Sequence, residues 1–107
     1  MDLHTLLPEE LRARLPQIGA TAEEENPLIR AKFFYPDFHW TWYAIEFDGT
    51  DLFYGYVDGD YPELGYFSLR ELLETRGAYG CPIERDLYFT ETPLQVIQQN
   101  AEAKHFG

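Results

Sequence analysis

Three features of this chain have residue types and spacing that can support chemistry: clustered carboxylates, one cysteine, and a charged triplet between apolar residues. Asp48, Asp51, Asp58, Asp60 and Glu63 crowd two turns, and carboxylates so placed hold hard cations such as calcium or magnesium. A meander sets those turns at opposite ends of its strands, so a site drawing on both is geometrically awkward. Asp58-Gly59-Asp60 with Glu63 offers ligands from one turn but lacks the spacing of an EF-hand loop. Turn formation explains the same residues, because Asp-Gly pairs suit positive φ. No metal and no cofactor is expected.

Cys81 needs a neighbouring base to ionise at neutral pH, and His4, His39 and His105 are the histidines available. None forms a local signature with it, and a cysteine before a proline reads as a small packed residue. His39, beside Trp40, has no partner at ligand spacing and reads as a turn histidine. The sequence therefore names no catalytic residue.

Glu84-Arg85-Asp86 follows Pro82-Ile83 and precedes Leu87-Tyr88-Phe89. A guanidinium suits bidentate pairing, so a structural ion pair fixing this loop is expected, with a ligand-facing role for Glu84 and Arg85 as the alternative. The tryptophans raise a question of register. Ile29 to Tyr35 and Trp40 to Phe47 read as a hairpin, because β-branched and aromatic runs flank a turn holding Pro36 and Asp37. Setting Phe34 opposite Trp42 places Lys32 against Ala44 and Arg30 against Glu46. The other face then carries Phe33 with Tyr43, Ala31 with Ile45, and Ile29 with Phe47, all apolar or aromatic. In that register Trp40, Trp42, Lys32 and Arg30 share one face. Either helices cover it, which is the expected outcome, or it is an open platform that stacks a base or another ring beside a cationic patch.

The elements that position these residues follow from local signals. Pro8 to Leu15 reads as a short helix, with Glu9 and Glu10 in the first turn, Arg12 and Arg14 near the end, and Pro16 as the stop. Glu23 to Glu25 lie in a solvated loop. After the hairpin, the Asp48-Gly49 turn leads to a strand over Leu52 to Val57, and a short fourth strand is expected over Leu64 to Phe67. Ser68 and Glu71 have capping-box spacing ahead of a helix over Leu69 to Arg76. A return strand is expected over Asp86 to Thr90. Thr92 and Gln95 repeat the capping-box spacing, so a helix should run from Pro93 to about Ala103 and then fray. The fold class is α+β: an antiparallel meander of three to four strands, a helix after it, and short helices at both termini.

The chain has 107 residues, enough for one domain with one core, and its 45% hydrophobic and 17% aromatic content supplies that core with large rings. Nineteen acidic residues against 8 basic ones give a formal net charge of -11. That charge favours basic partners and opposes association with nucleic acid or anionic membranes. One cysteine precludes an intrachain disulfide, and neither a secretory signal nor a membrane span is visible, so a cytoplasmic protein is expected.

Leu11-Arg12-Ala13-Arg14-Leu15-Pro16, Trp40-Thr41-Trp42-Tyr43, Phe53-Tyr54-Gly55-Tyr56-Val57, Glu63-Leu64-Gly65-Tyr66-Phe67-Ser68-Leu69 and Pro82-Ile83-Glu84-Arg85-Asp86-Leu87-Tyr88-Phe89 together resemble the bacterial domain of unknown function 2958. The resemblance spans about Leu11 to Phe89. It implies small proteins often carried by plasmids, phages and other mobile elements, and it supplies no activity or site residues. A non-enzymatic accessory or regulatory protein is expected, one that acts by protein–protein contact and imitates nucleic-acid charge. The alternative is a nucleic-acid or nucleotide-binding module built on Trp40, Trp42, Lys32 and Arg30.

Overall fold

A computed structural model describes the backbone of residues 6–106 and the side chains of residues 6–104, so His4 and the His105 side chain lie outside the described residues. Helix α1 (Glu9–Arg14) has its acidic residues in the first turn and its basic ones in the last, which suits the helix dipole. Strands β1 (Leu28–Ile29), β2 (Ala31–Phe34), β3 (Thr41–Phe47), β4 (Leu52–Asp58) and β5 (Pro62–Ser68) follow. Helix α2 (Leu69–Glu74), strands β6 (Glu84–Arg85) and β7 (Thr92–Pro93), and helix α3 (Leu94–Phe106) complete the order. The class is α+β, as expected. β2 to β5 form the meander, and β6 extends it to a five-stranded antiparallel sheet ordered β5-β4-β3-β2-β6. β1 and β7 pair separately.

The hairpin register differs by one residue from the expected one. Phe33 lies opposite Trp42, Ala31 opposite Ala44, and Lys32 opposite Tyr43. Two physical causes account for this. Pro36 has no N–H with which to close the loop, so closure falls on Tyr35, whose N–H donates to the Trp40 carbonyl at 3.1 Å. The β3–β4 register also shifts between Ala44 and Glu46, a bulge that interrupts the two-residue alternation on which the expected pairing relied. One step on in the β2–β3 register Arg30 comes level with Ile45 and not with Glu46, while Glu46 sits opposite Tyr54 of β4 and Phe47 joins the face of Trp42 and Ala44.

Both faces of the sheet are packed. On one, Phe33, Trp42, Phe47, Phe53 and Phe67 meet Leu11 of α1, Leu69 and Leu72 of α2, and Ile83. Phe53 stands at the centre, with ring centroids 4.5 Å from Phe47, 4.9 Å from Phe67 and 5.6 Å from Phe33. Such ring pairs contribute about 1 kcal/mol each beyond their buried area. On the other face, Ile45 and Tyr56 meet Ile29 and residues Leu94 and Ala101 of α3.

Three local expectations also need correction. β5 runs over seven residues, longer than the short strand read from Leu64 to Phe67. The strand expected over Asp86 to Thr90 is instead a turn, because Asp86 Oδ1 accepts the Tyr88 N–H at 2.9 Å and holds the backbone in a local bend. The return strand is the preceding Glu84–Arg85. At α3, Thr92 does not cap the helix, since its hydroxyl donates to the Thr90 carbonyl at 2.7 Å. Asn26 Oδ1 accepts the Gln95 N–H at 2.9 Å in its place. At α2 the serine half of the expected capping box forms, with the Glu71 N–H donating to Ser68 Oγ at 3.3 Å.

Candidate functional site

The register sets the tryptophans apart from the cations. Trp42 is buried in the first core, and Trp40 packs half-buried with its ring centroid 5.9 Å from that of Trp42. Lys32 lies opposite Tyr43, with its ammonium 5.9 Å from the Tyr43 ring centroid and 3.7 Å from Asp86. Arg30 reaches Glu91 at 3.1 Å, and Arg14 approaches the same carboxylate at 3.6 Å. The shared face of Trp40, Trp42, Lys32 and Arg30 is therefore not formed.

The Glu84-Arg85-Asp86 triplet is also arranged differently from the expected ion pair. Arg85 lies opposite Phe33, half-buried, with Nε enclosed and lacking a hydrogen-bond partner. Among the described residues no carboxylate lies within ion-pair distance of it. Asp86 turns to Lys32, and Glu84 sits opposite Phe34. Two like-sized demands on a short two-residue strand, backbone pairing and side-chain pairing, are met only for the backbone.

The turn carboxylates disperse as well. Asp58 is buried, with Lys104 Nζ at 3.4 Å, while Asp60 meets His39 Nε2 at 3.3 Å. Among the described residues no group of three or more His, Cys, Asp or Glu is disposed to hold a metal ion. Cys81 is a free, half-buried thiol.

What the structure does assemble is a pair of clefts beside β5. The first, about 480 Å³, has Trp40, Trp42 and Tyr61 among its aromatic walls and Asp60, Glu63 and Glu71 among its polar ones. Trp40 lies against Gly59, where an added Cβ would come within 2.8 Å of the indole ring, so the missing side chain lets the ring seat there. Glu63 and Glu71 have no cation within ion-pair distance among the described residues. An aromatic wall beside unneutralised carboxylates suits a cation, which gains from both the ring quadrupole and the charge.

The second cleft, about 380 Å³, is lined by Ile45, Tyr54, Leu64, Tyr66 and Leu94, with Glu24 and Glu25 also on its wall. Glu46 also lines it, only 3% exposed. Its carboxylate accepts the Gly19 N–H at 2.7 Å, the Thr21 N–H at 2.8 Å and the Thr21 hydroxyl. Burial acts to raise the Glu46 pKa, but the Thr21 hydroxyl and the two backbone donors outweigh it and hold the carboxyl below its ordinary value. Sequence reasoning missed this residue as a buried anchor. The available signal was a lone acid inside the apolar run Tyr43 to Phe47.

The fold and the clefts define a small antiparallel α+β domain with acid-edged grooves on both sides of an edge strand. No helix among the described residues is long and apolar enough to cross a membrane. The chain belongs to the family described as protein of unknown function (DUF2958), which it matches over residues 6–105. That match takes in α3, beyond the span carried by the sequence motifs. No curated protein and no solved structure matches the chain.

Proposed function

We propose that the protein is a non-enzymatic accessory or regulatory module of bacterial mobile elements that docks on a basic partner protein. The observation carrying this reading is the first cleft, where Glu63 and Glu71 stand beside Trp40 and Tyr61 with no cation within ion-pair distance among the described residues. Four of the eight Lys and Arg side chains are engaged by carboxylates: Arg14 and Arg30 by Glu91, Lys32 by Asp86, and Lys104 by Asp58. With a net charge of -11, the surface attracts basic proteins over the Debye length and presents to them a charge of the sign that nucleic acid carries. The separation of Lys32 and Arg30 from the tryptophans argues against a nucleic-acid platform.

The experiment is fluorescence titration with an arginine-rich peptide and, separately, with single- and double-stranded DNA. The peptide should perturb tryptophan emission and bind less tightly as salt rises, with Glu63→Gln and Glu71→Gln each weakening it. DNA should not bind at physiological salt. Micromolar DNA binding with no response to the peptide would overturn the reading.

A further inference from the structure

We infer that β5 is a docking edge that takes an extended, basic segment of the partner as an added strand, with cationic side chains entering one cleft and apolar side chains the other. The inference rests on the docking reading above and specifies its geometry.

β5 is the terminal strand of the five-stranded sheet, seven residues from Pro62 to Ser68, with no strand beyond it among the described residues. Such an edge presents unpaired N–H and C=O groups, and proteins ordinarily keep edges short or charged. This one is long, and Glu63 is its only charged residue. Leu64 and Tyr66 are 42% and 60% exposed, so side chains on this strand do not bury the edge.

The two clefts are the second observation. The Trp40 cleft and the Glu46 cleft each include β5 residues in their walls, Glu63 and Gly65 in the first and Leu64 in the second, with Tyr66 in both. Successive side chains of an added strand point to opposite faces of the sheet. Every second residue would then meet Trp40, Tyr61, Glu63 and Glu71, a setting for Arg or Lys. The residues between them would meet Tyr54, Leu64 and Tyr66, a setting for Val, Ile or Leu. A second copy of this chain is a poor occupant, because two bodies each carrying a charge of -11 repel.

The test uses a labelled eight-residue peptide of alternating Arg and Val, and a control of the same composition with the four Arg preceding the four Val. Two further peptides carry backbone N-methyl groups on all the Arg or on all the Val residues. In an added strand only one set of alternate residues bonds to the edge. The alternating peptide should bind roughly tenfold or more tightly than the block control, and only one of the methylated peptides should retain its affinity. Hydrogen exchange should show new protection in residues 62–68. Equal affinity for all four peptides overturns strand addition while leaving basic docking intact. No binding by any of them overturns the docking reading and this inference together.

Discussion

The Glu46 carboxylate and the Thr21 backbone N–H meet at 2.8 Å although 25 residues separate them. Through this bond and its neighbours, the loop after α1 is tied to the bulged strand β3. The bulge turns Glu46 inward at the point where Gly19 and Thr21 can supply donors. An acid in the midst of an apolar run is thus a fastening between two parts of the chain.

Glu46→Gln should destabilise the protein by about 2 kcal/mol, the scale of buried hydrogen bonds to a charged group, because the amide turns an acceptor into a donor facing N–H groups. The pH dependence has a definite sign. The folded-state pKa lies below the ordinary value, so this contribution is present above the ordinary carboxylate range and is lost as pH falls through the lowered folded value. Denaturation midpoints of the two proteins should therefore converge in acid. A gap that stays constant down to the acid limit would exclude this role for Glu46.

Gly55 and Gly65 face each other across β4 and β5 yet should respond oppositely to substitution. A Cβ on Gly55 would lie 1.8 Å from the Tyr43 carbonyl oxygen, so the β3 backbone must move, whereas a Cβ on Gly65 meets nothing within 4 Å. Gly55→Ala should cost about 3 kcal/mol or more, and Gly65→Ala less than about 1 kcal/mol. Urea denaturation of the two variants decides it, and similar midpoints would contradict the packing described.

Arg85→Met should leave stability unchanged or raise it. The guanidinium Nε is enclosed without a partner, and methionine keeps much of the stem's packing while removing that unsatisfied donor. A midpoint lowered by more than about 1 kcal/mol would show that the arginine makes a stabilising interaction in solution.

The Tyr43 hydroxyl is pushed up to about 12 from 10.0, first by burial and then by the negative charge of Asp58 and Asp86. A raised folded-state value contributes stability below the unfolded value that is lost as pH climbs through the folded one. Stability should therefore fall between pH 10 and about 12, and Tyr43→Phe should flatten that fall. Ultraviolet titration of phenolate should lose a step near pH 12 in the variant; loss of a step near pH 10 instead would reject the assignment.

The features legible in the sequence were those set by neighbours along the chain. Ser68 and Glu71 sit three positions apart and form their cap, and Asp48 Oδ1 accepts the N–H groups of Thr50, Asp51 and Leu52 at 2.8, 2.8 and 3.0 Å in the turn that Asp48-Gly49 announces. What stayed hidden was set across distance. Thr92 has the right spacing to cap α3, but Asn26 arrives from the far side of the fold and takes the position. Alternation along β2 places Ala31 and Phe33 together, as read, whereas the one-residue shift of the β2–β3 register reverses the company Trp42 keeps and the bulge at Ile45 brings Phe47 to the same face. The two clefts depend on that reversal, so neither could be assembled from the residues alone.

The Asn26 cap has a consequence for biosynthesis. Because the ribosome releases a chain from its N-terminus, all five strands of the large sheet emerge before α3, whose first-turn N–H groups find their acceptors already in place at Asn26 and Pro27. Until residues 94–106 follow, Ile45, Tyr43 and Tyr56 face solvent where Leu94 and Ala101 will later sit. A chain truncated after residue 91 should therefore bind an apolar dye that the full chain rejects, and equal dye binding would mean that the face is shielded by other means.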